Sequence, residues 1–469
     1  AGGFKYGTTD VLIFGSGAAQ KANDYQTSLG SVLNSFARAG NVSGGAGWYP
    51  RRGWLAFNYS YDRRHHGLPV EPDEVDFESL REHRHSFEVK GGLRELGGFI
   101  EGGDFAVSYN DYRAREFEFE SDENVTEIEA VATNRNFNYR ANFNHRRSGR
   151  LSGTFGFSGF TRDFLSVGEE APAPQTKQRS FAAYGLERVD FERIGFQFGG
   201  RVEQNGYNPE GDFRDRNFIG FSGSAGVRVP LWTGGSFVTN YQHSFRAPAL
   251  EELYNNGPHP GILTFDIGNP NLNAEQGDGI DLSLRHNTER VRLEGSFYYY
   301  NIRNFVFQAF TGETDEESNL PITNYAQGTS RFVGAEAAVE TRVIRSLWAS
   351  GKLDYVRSEL VATDKPLPRI PPLRGTLGLD WRYKAVNVRP ELILAGRQER
   401  VFDNETPTAG YAVFNVSASY TFVTGPVANI ISVNGYNLGD TLYRNHLSFV
   451  KEIAPEKGRS IRLNYYLRF

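Results

Sequence analysis

Residues 412–422 read AVFNVSASYTF. The even positions carry Ala412, Phe414, Val416, Ala418, Tyr420 and Phe422; the odd ones carry Val413, Asn415, Ser417, Ser419 and Thr421. Successive side chains of a strand point to opposite faces, so a period of two describes a strand with one aromatic, apolar face and one polar face. The pattern recurs in both directions from there. Leu377, Leu379, Trp381 and Tyr383 alternate with Thr376, Gly378, Asp380 and Arg382. Leu55, Phe57, Tyr59 and Tyr61 alternate with Trp54, Ala56, Asn58 and Ser60. The chain closes with Ile461, Leu463, Tyr465, Leu467 and Phe469 set against Arg462, Asn464, Tyr466 and Arg468.

The connections alternate as well. Short ones, at 49–53, 146–149, 191–194, 231–235, 345–346 and 424–427, take turns with mostly longer polar ones at 62–80, 167–176, 205–214, 244–275, 309–323, 362–369 and 438–458. An up-and-down antiparallel meander with all its long loops at one end produces this order, and the count between them is 20 or 21 strands. Composition agrees. The 469 residues are 39% hydrophobic but 14% aromatic, with 52 Gly and a mean hydropathy of −0.50. A helical membrane bundle needs apolar runs of about 18 residues, which are missing. Disordered chains lack such aromatic content. A propeller should repeat every ~40–50 residues, and no internal repeat is seen. The expected fold is therefore all-β, a transmembrane antiparallel up-and-down β-barrel with lipid outside and water or protein inside. The absence of Cys excludes disulfides, a thiol nucleophile and thiolate metal sites. The net charge of −5 gives no reason to expect nucleic acid as a partner.

Three stretches carry a family resemblance. Ser244–Glu275, SFRAPALEELYNNGPHPGILTFDIGNPNLNAE, resembles the "FRAP…EL" and "GNPNL.pE" segment of TonB-dependent outer-membrane receptors. Asn437–Tyr443, NLGDTLY, resembles their "NL.D..Y" element, and the closing RSIRLNYYLRF is similar to the terminal signature of outer-membrane barrels. The resemblance covers essentially the whole chain, 1–469, and implies a barrel of the 22-strand type. It implies a bacterial outer-membrane location among lipid and lipopolysaccharide, and import of a scarce nutrient driven by the TonB complex through an N-terminal plug. Residues 1–7 already read as a strand and 8–10 as a turn, so the chain is expected to begin at the family's second strand, without plug, TonB box or signal peptide. With no Met, it is expected to be a mature or trimmed form. Charged strand residues such as Arg201, Glu203, Asp380, Arg382, Arg462 and Arg468 are then expected to meet plug or water.

Two sets of residues could carry ligand chemistry. Seven of the nine histidines fall on the long-loop side; only His145 and His286 lie near short turns. His65, His66, His83 and His85 flank an acidic loop containing Asp73, Glu74 and Asp76, with His259 in the longest loop. Imidazole and carboxylate together suit zinc or a similar divalent ion, and His83 and His85 at i, i+2 share a face. Zinc-uptake receptors of the resembled family use such residues, so zinc is a candidate transported ligand and no resident cofactor is required. Loop solubility or contact with lipopolysaccharide would use the same residues. The second set is aromatic and cationic: Arg246, Tyr254, Phe265, Tyr298, Tyr300 and Tyr443, suited to a siderophore or other bulky organic ligand by stacking and bidentate pairing. Tyr298 and Tyr300, inside a strand, suit a membrane-interface girdle. No G-x-S-x-G, H-E-x-x-H, P-loop or helix-opening G-x-G-x-x-G is present, and an enzyme is not expected. The alternative to a receptor is a porin-like passive channel, which should fold a loop inward to narrow its lumen; a weaker third is an adhesive surface barrel.

Overall fold

The computed structural model describes residues 1–71, 75–120, 125–168 and 171–469. Among the described residues the main sheet holds 23 strands. Two of them, Asn256–His259 and Thr264–Ile267, are a short hairpin within one loop. The remaining strands form a continuous antiparallel meander, from Gly2–Gly7 paired with Val11–Ala22 to Val427–Tyr436 paired with Ser460–Arg468. Helix is confined, among the described residues, to Leu250–Tyr254 and the single 3₁₀ turn Pro260–Ile262.

The alternation seen in sequence becomes a division between two faces of this wall. Leu377 sits opposite Gly351 on one neighbour and Leu392 on the other, and Phe414 continues the row opposite Leu392. Such rows leave large apolar side chains open, with Leu377 56% and Leu463 71% exposed. Apolar surface on that scale is unfavourable in water and is the normal state of a wall that faces lipid. Among the described residues no helix is long and apolar enough to cross a membrane. The opposite face carries the polar set and is laced by ion pairs. Arg201 donates to Glu203 at 2.7 Å, and Arg382 donates to Asp380 at 3.0 Å.

Turns at one end are tight. Trp232 and Gly235 enclose two residues, with Gly234 in the left-handed region at φ 81°, where a glycine has no Cβ to clash. The strands are longer at the other end than the sequence suggests. The 62–80 stretch expected as a loop is strand up to Gly67 and again from Phe77, so His65 and His66 stand on a strand. Likewise Val291–Thr314 and Pro321–Ile344 run through much of the 309–323 stretch. Polar residues stop reading as strand in a sequence, yet ladder hydrogen bonds continue wherever both neighbours extend. Both clusters of buried apolar residues lie at this long-loop end. A wall with lipid on one side needs no central core, so packing concentrates where loops fold over the mouth.

Candidate functional site

The longest loop is fixed at its base by one side chain. Arg246 ends strand Gly235–Arg246 and stands opposite Glu275, the first residue of the next meander strand. Its Nε donates to Glu275 Oε2 at 2.7 Å and its Nη2 to Oε1, while Nη1 donates to both oxygens of Glu252 at 3.0 Å. Glu252 also accepts from the Ala249 amide at 2.7 Å, closing the start of helix Leu250–Tyr254. Glu275 further accepts from the Val306 amide at 2.8 Å. A planar guanidinium can serve two carboxylates in this way; an ammonium cannot.

The helix then packs inward. Leu250, Leu253 and Tyr254 cluster with Phe164, Tyr207, Phe218, Leu272 and Val306. On their strands Phe164, Tyr207 and Phe218 belong to the polar alternate set, together with Ser158, Glu203 and Ser222. The helix therefore lies against the inner wall at the mouth, on the side of the sheet from which its loop emerges. Tyr207 donates to the Pro248 carbonyl at 2.6 Å and Tyr254 to the Arg214 carbonyl at 2.9 Å. Burial pushes the Tyr254 phenol up to about 12. Gly268 returns the chain across the end of this helix. A Cβ there would sit 2.6 Å from the backbone nitrogens of Tyr254 and Asn255. That close approach is the physical content of the glycine in GNPNL.

The last loop is braced in a similar manner. Asn437 accepts from the Thr441 amide at 2.9 Å and donates to the Thr441 and Lys457 carbonyls at 2.8 and 3.1 Å. Asp440 accepts from the Arg459 amide at 2.8 Å. Tyr443, the end of NLGDTLY, then meets Tyr411 with ring centroids 4.7 Å apart. Its phenol is pushed up to about 12, first by burial and then by Glu456. Beneath the same loops His446 is buried, its Nδ1 2.8 Å from Thr408 Oγ1, with Lys451 Nζ 3.1 Å from that hydroxyl. Burial is also the first reason that Arg369 falls to about 10 and that His446 and Lys451 are lowered.

The sequence-predicted residues separate into three places. Arg246 and Tyr443 lie at the mouth, and Phe265 is half-buried in the small hairpin opposite Pro258 and beside Ile322. Tyr254 is 1% exposed and belongs to the packing of the loop. His259 pairs through Nδ1 with the fully buried Asp266 at 3.1 Å. Tyr298 and Tyr300 are not girdle residues: they share the inward face with Glu336 and Asp281, and Tyr300 donates to Asp281 at 2.6 Å. The apolar rows beside them, not the tyrosines, meet lipid. His65, His83 and His85 continue the face of Phe57 and Phe87, on the outer side of the wall. His66 points the other way, 3.6 Å from Glu82. Asp76 directly precedes strand Phe77–Leu93, while Asp73 and Glu74 lie outside the described residues. Among the described residues no three His, Asp or Glu stand together as a metal site. Sequence reasoning missed Glu252, Glu275 and Tyr411. Arg246 and Glu275 meet only because their strands pair, and Tyr411 is marked in sequence only by opening a strand on its polar set.

Comparison with known proteins follows this geometry. The family described as TonB dependent receptor-like, beta-barrel matches residues 5–438. The structure is similar to the copper transporter OprC, with a TM-score of 0.84 at 17% identity over 98% of this chain and 78% of that one. It is similar to the FrpB iron transporter from Neisseria meningitidis (F3-3 variant), TM-score 0.78 at 12% identity, over 99% and 78%. It is also similar to the siderophore receptor PirA from Pseudomonas aeruginosa, TM-score 0.70 at 15% identity, over 99% and 74%.

Proposed function

The chain belongs to the TonB-dependent receptor β-barrel family, and from that premise we propose that it is the wall and mouth of a nutrient receptor in the outer membrane of a Gram-negative bacterium. Its cargo in this reading is a metal ion or a metal complex such as a siderophore. Capture takes place at the mouth, and passage through the lumen draws on a plug and the TonB complex. The observation that carries the reading is the inner rim itself. Arg246 keeps 43% of its side chain open while two carboxylates fix its plane, and Tyr443 and Tyr411 present a paired aromatic edge across the mouth loops. Rigid cations and aromatic faces suit a bulky anionic complex, by stacking and bidentate hydrogen bonds. The names of the similar structures, a copper transporter, an iron transporter and a siderophore receptor, support the same cargo class. The long loop leans on its own side of the wall, and nothing in its packing favours a passive pore over a receptor.

The test is calorimetric titration of the detergent-folded protein with Zn²⁺, Cu²⁺ and a ferric catecholate complex. Saturable binding of one of them is expected, weakened about tenfold by Tyr443→Ala, in line with the ~0.5–1.5 kcal/mol of an aromatic contact. His83→Ala and His85→Ala are expected to leave that binding unchanged. A folded barrel that shows no saturable binding of any of the three would overturn this cargo class.

A further inference from the structure

Five neighbouring strands, Val11–Ala22, Ala37–Trp48, Gly53–Gly67, Phe77–Leu93 and Ile100–Glu120, pair with one another without a register shift. Alternation is therefore unbroken along them, and the face that carries Phe57, Phe87 and Tyr109 continues upward to the strand tops. There it changes character. Above Tyr59, Tyr61 and Tyr109 the same outer face bears Lys21, Arg38, Arg63, Arg81, Arg113 and Arg115, with His65 and His83 between them. Lys21, Arg38, Arg63, His65, Arg81 and Arg115 line a shallow depression of about 520 Å³, to which the inward-facing Glu82, 3.6 Å from His66, also contributes.

On the inward face of the same strands Arg84 reaches Asp62 at 3.4 Å. Among the described residues none of the six outer cations forms an ion pair. Asp111, a carboxylate on that face, lies 3.7 Å from Arg135. Two of the guanidiniums are seated on rings, Arg81 4.2 Å above Phe117 and Arg38 5.8 Å from Phe36. Unpaired like charges repel, and gathering six of them on one patch is unfavourable unless an anion completes it. The position specifies which anion. The patch lies on the lipid-facing side, immediately above an aromatic belt of the kind that marks the membrane–water interface. A group held there has its polar end among the arginines and its apolar part against Leu55, Phe57 and Val89 below. Guanidinium forks match phosphate oxygens bidentately.

We propose that this patch is a binding site for the phosphorylated headgroup of an outer-leaflet glycolipid. The proposal rests on the outer-membrane reading above, and it assigns His65 and His83 to lipid contact, outside the cargo path.

The experiment uses the whole chain, folded in detergent and in phosphatidylcholine vesicles, with bisphosphorylated lipid A as probe and native mass spectrometry as readout. Retention of lipid A is expected, with weaker retention of its dephosphorylated form. The triple variant Arg63→Gln, Arg81→Gln, Arg115→Gln is expected to lower affinity at least tenfold. The outward pair Lys177→Gln, Arg179→Gln, away from the patch, should change nothing. Heat-modifiable gel mobility establishes that each variant is folded. A folded triple variant that holds lipid A as well as the wild type overturns the site. Displacement of lipid A by millimolar inorganic phosphate overturns the lipid as its occupant. Failure of the unaltered chain to insert into vesicles at all overturns the membrane reading, and this site with it.

Discussion

His446 shows how one side chain records its surroundings. The ring is 4% exposed and held by Thr408, and burial together with Lys451 keeps its pKa below the ordinary 6.5. The unfolded chain takes up a proton near 6.5 while the folded loop resists it. The contribution of His446 is therefore constant at neutral pH and is lost as the pH falls below 6.5 toward the folded value. Measured relative to the intrinsic amide rate, which itself slows as the pH falls, hydrogen exchange in the 437–459 loop is expected to accelerate on going from pH 7 to about pH 5, and His446→Gln should flatten that dependence. Equal acceleration in the variant would assign the effect to another group. The sequence places His446 in the last loop but gives no sign that Lys451 folds back beside it. Arg246 is a similar case. Its type and position were legible, whereas its two carboxylate partners depend on strand pairing and on a helix of five residues too short to show a period.

At the scale of elements, alternation made the strands legible and turn chemistry made the short connections legible. Strand tops were not, because above the membrane both faces meet water and the apolar–polar contrast that reveals a strand fades. That is why His65, on the outer face, read as a loop residue. The folded form of Ser244–Glu275 was equally hidden. Its helix is held by contacts with strands far away in sequence, and Gly268 matters because the chain crosses the helix end so closely that a Cβ there would lie 2.6 Å from backbone nitrogens. Gly268→Ala is expected to destabilise this loop by about 1–3 kcal/mol, the usual range for forcing a methyl into filled space. Hydrogen exchange should rise across 247–274 while the ladder between Val427–Tyr436 and Ser460–Arg468 stays protected. Protection unchanged in both places would remove the close approach as the reason for the glycine.

For the whole molecule, inside and outside are assigned by one parity, which most ladders keep from end to end and a few break at bulges near their ends or in their upper parts. Neighbouring residues should then differ sharply in what they tolerate. Leu377→Arg, on the lipid side, is expected to cost about 2–4 kcal/mol in a bilayer, whereas Thr376→Arg, on the polar side, should stay within about 0.5 kcal/mol. Refolding titrations into lipid vesicles measure both; equal costs would mean that both faces are wet, and the opposite order that the faces are reversed. The barrel class was legible in the sequence because this parity is written in every strand. Which side of the sheet a loop leans on was not, since that depends on how distant strands are brought together.

The height of the wall has a consequence for the timing of encounters. Val291–Thr314 and Pro321–Ile344 are 24 residues each, which at roughly 3.3 Å per residue is about 80 Å of strand. Even tilted by about 40°, such a hairpin rises some 60 Å along the membrane normal, against an apolar band about 25 Å tall. More than half of it stands in water as a rigid, laddered mast. A solute diffusing toward the cell meets that mast before it meets the surface. The first collision is therefore with protein, and the search that follows runs along a fixed wall instead of across a crowded plane.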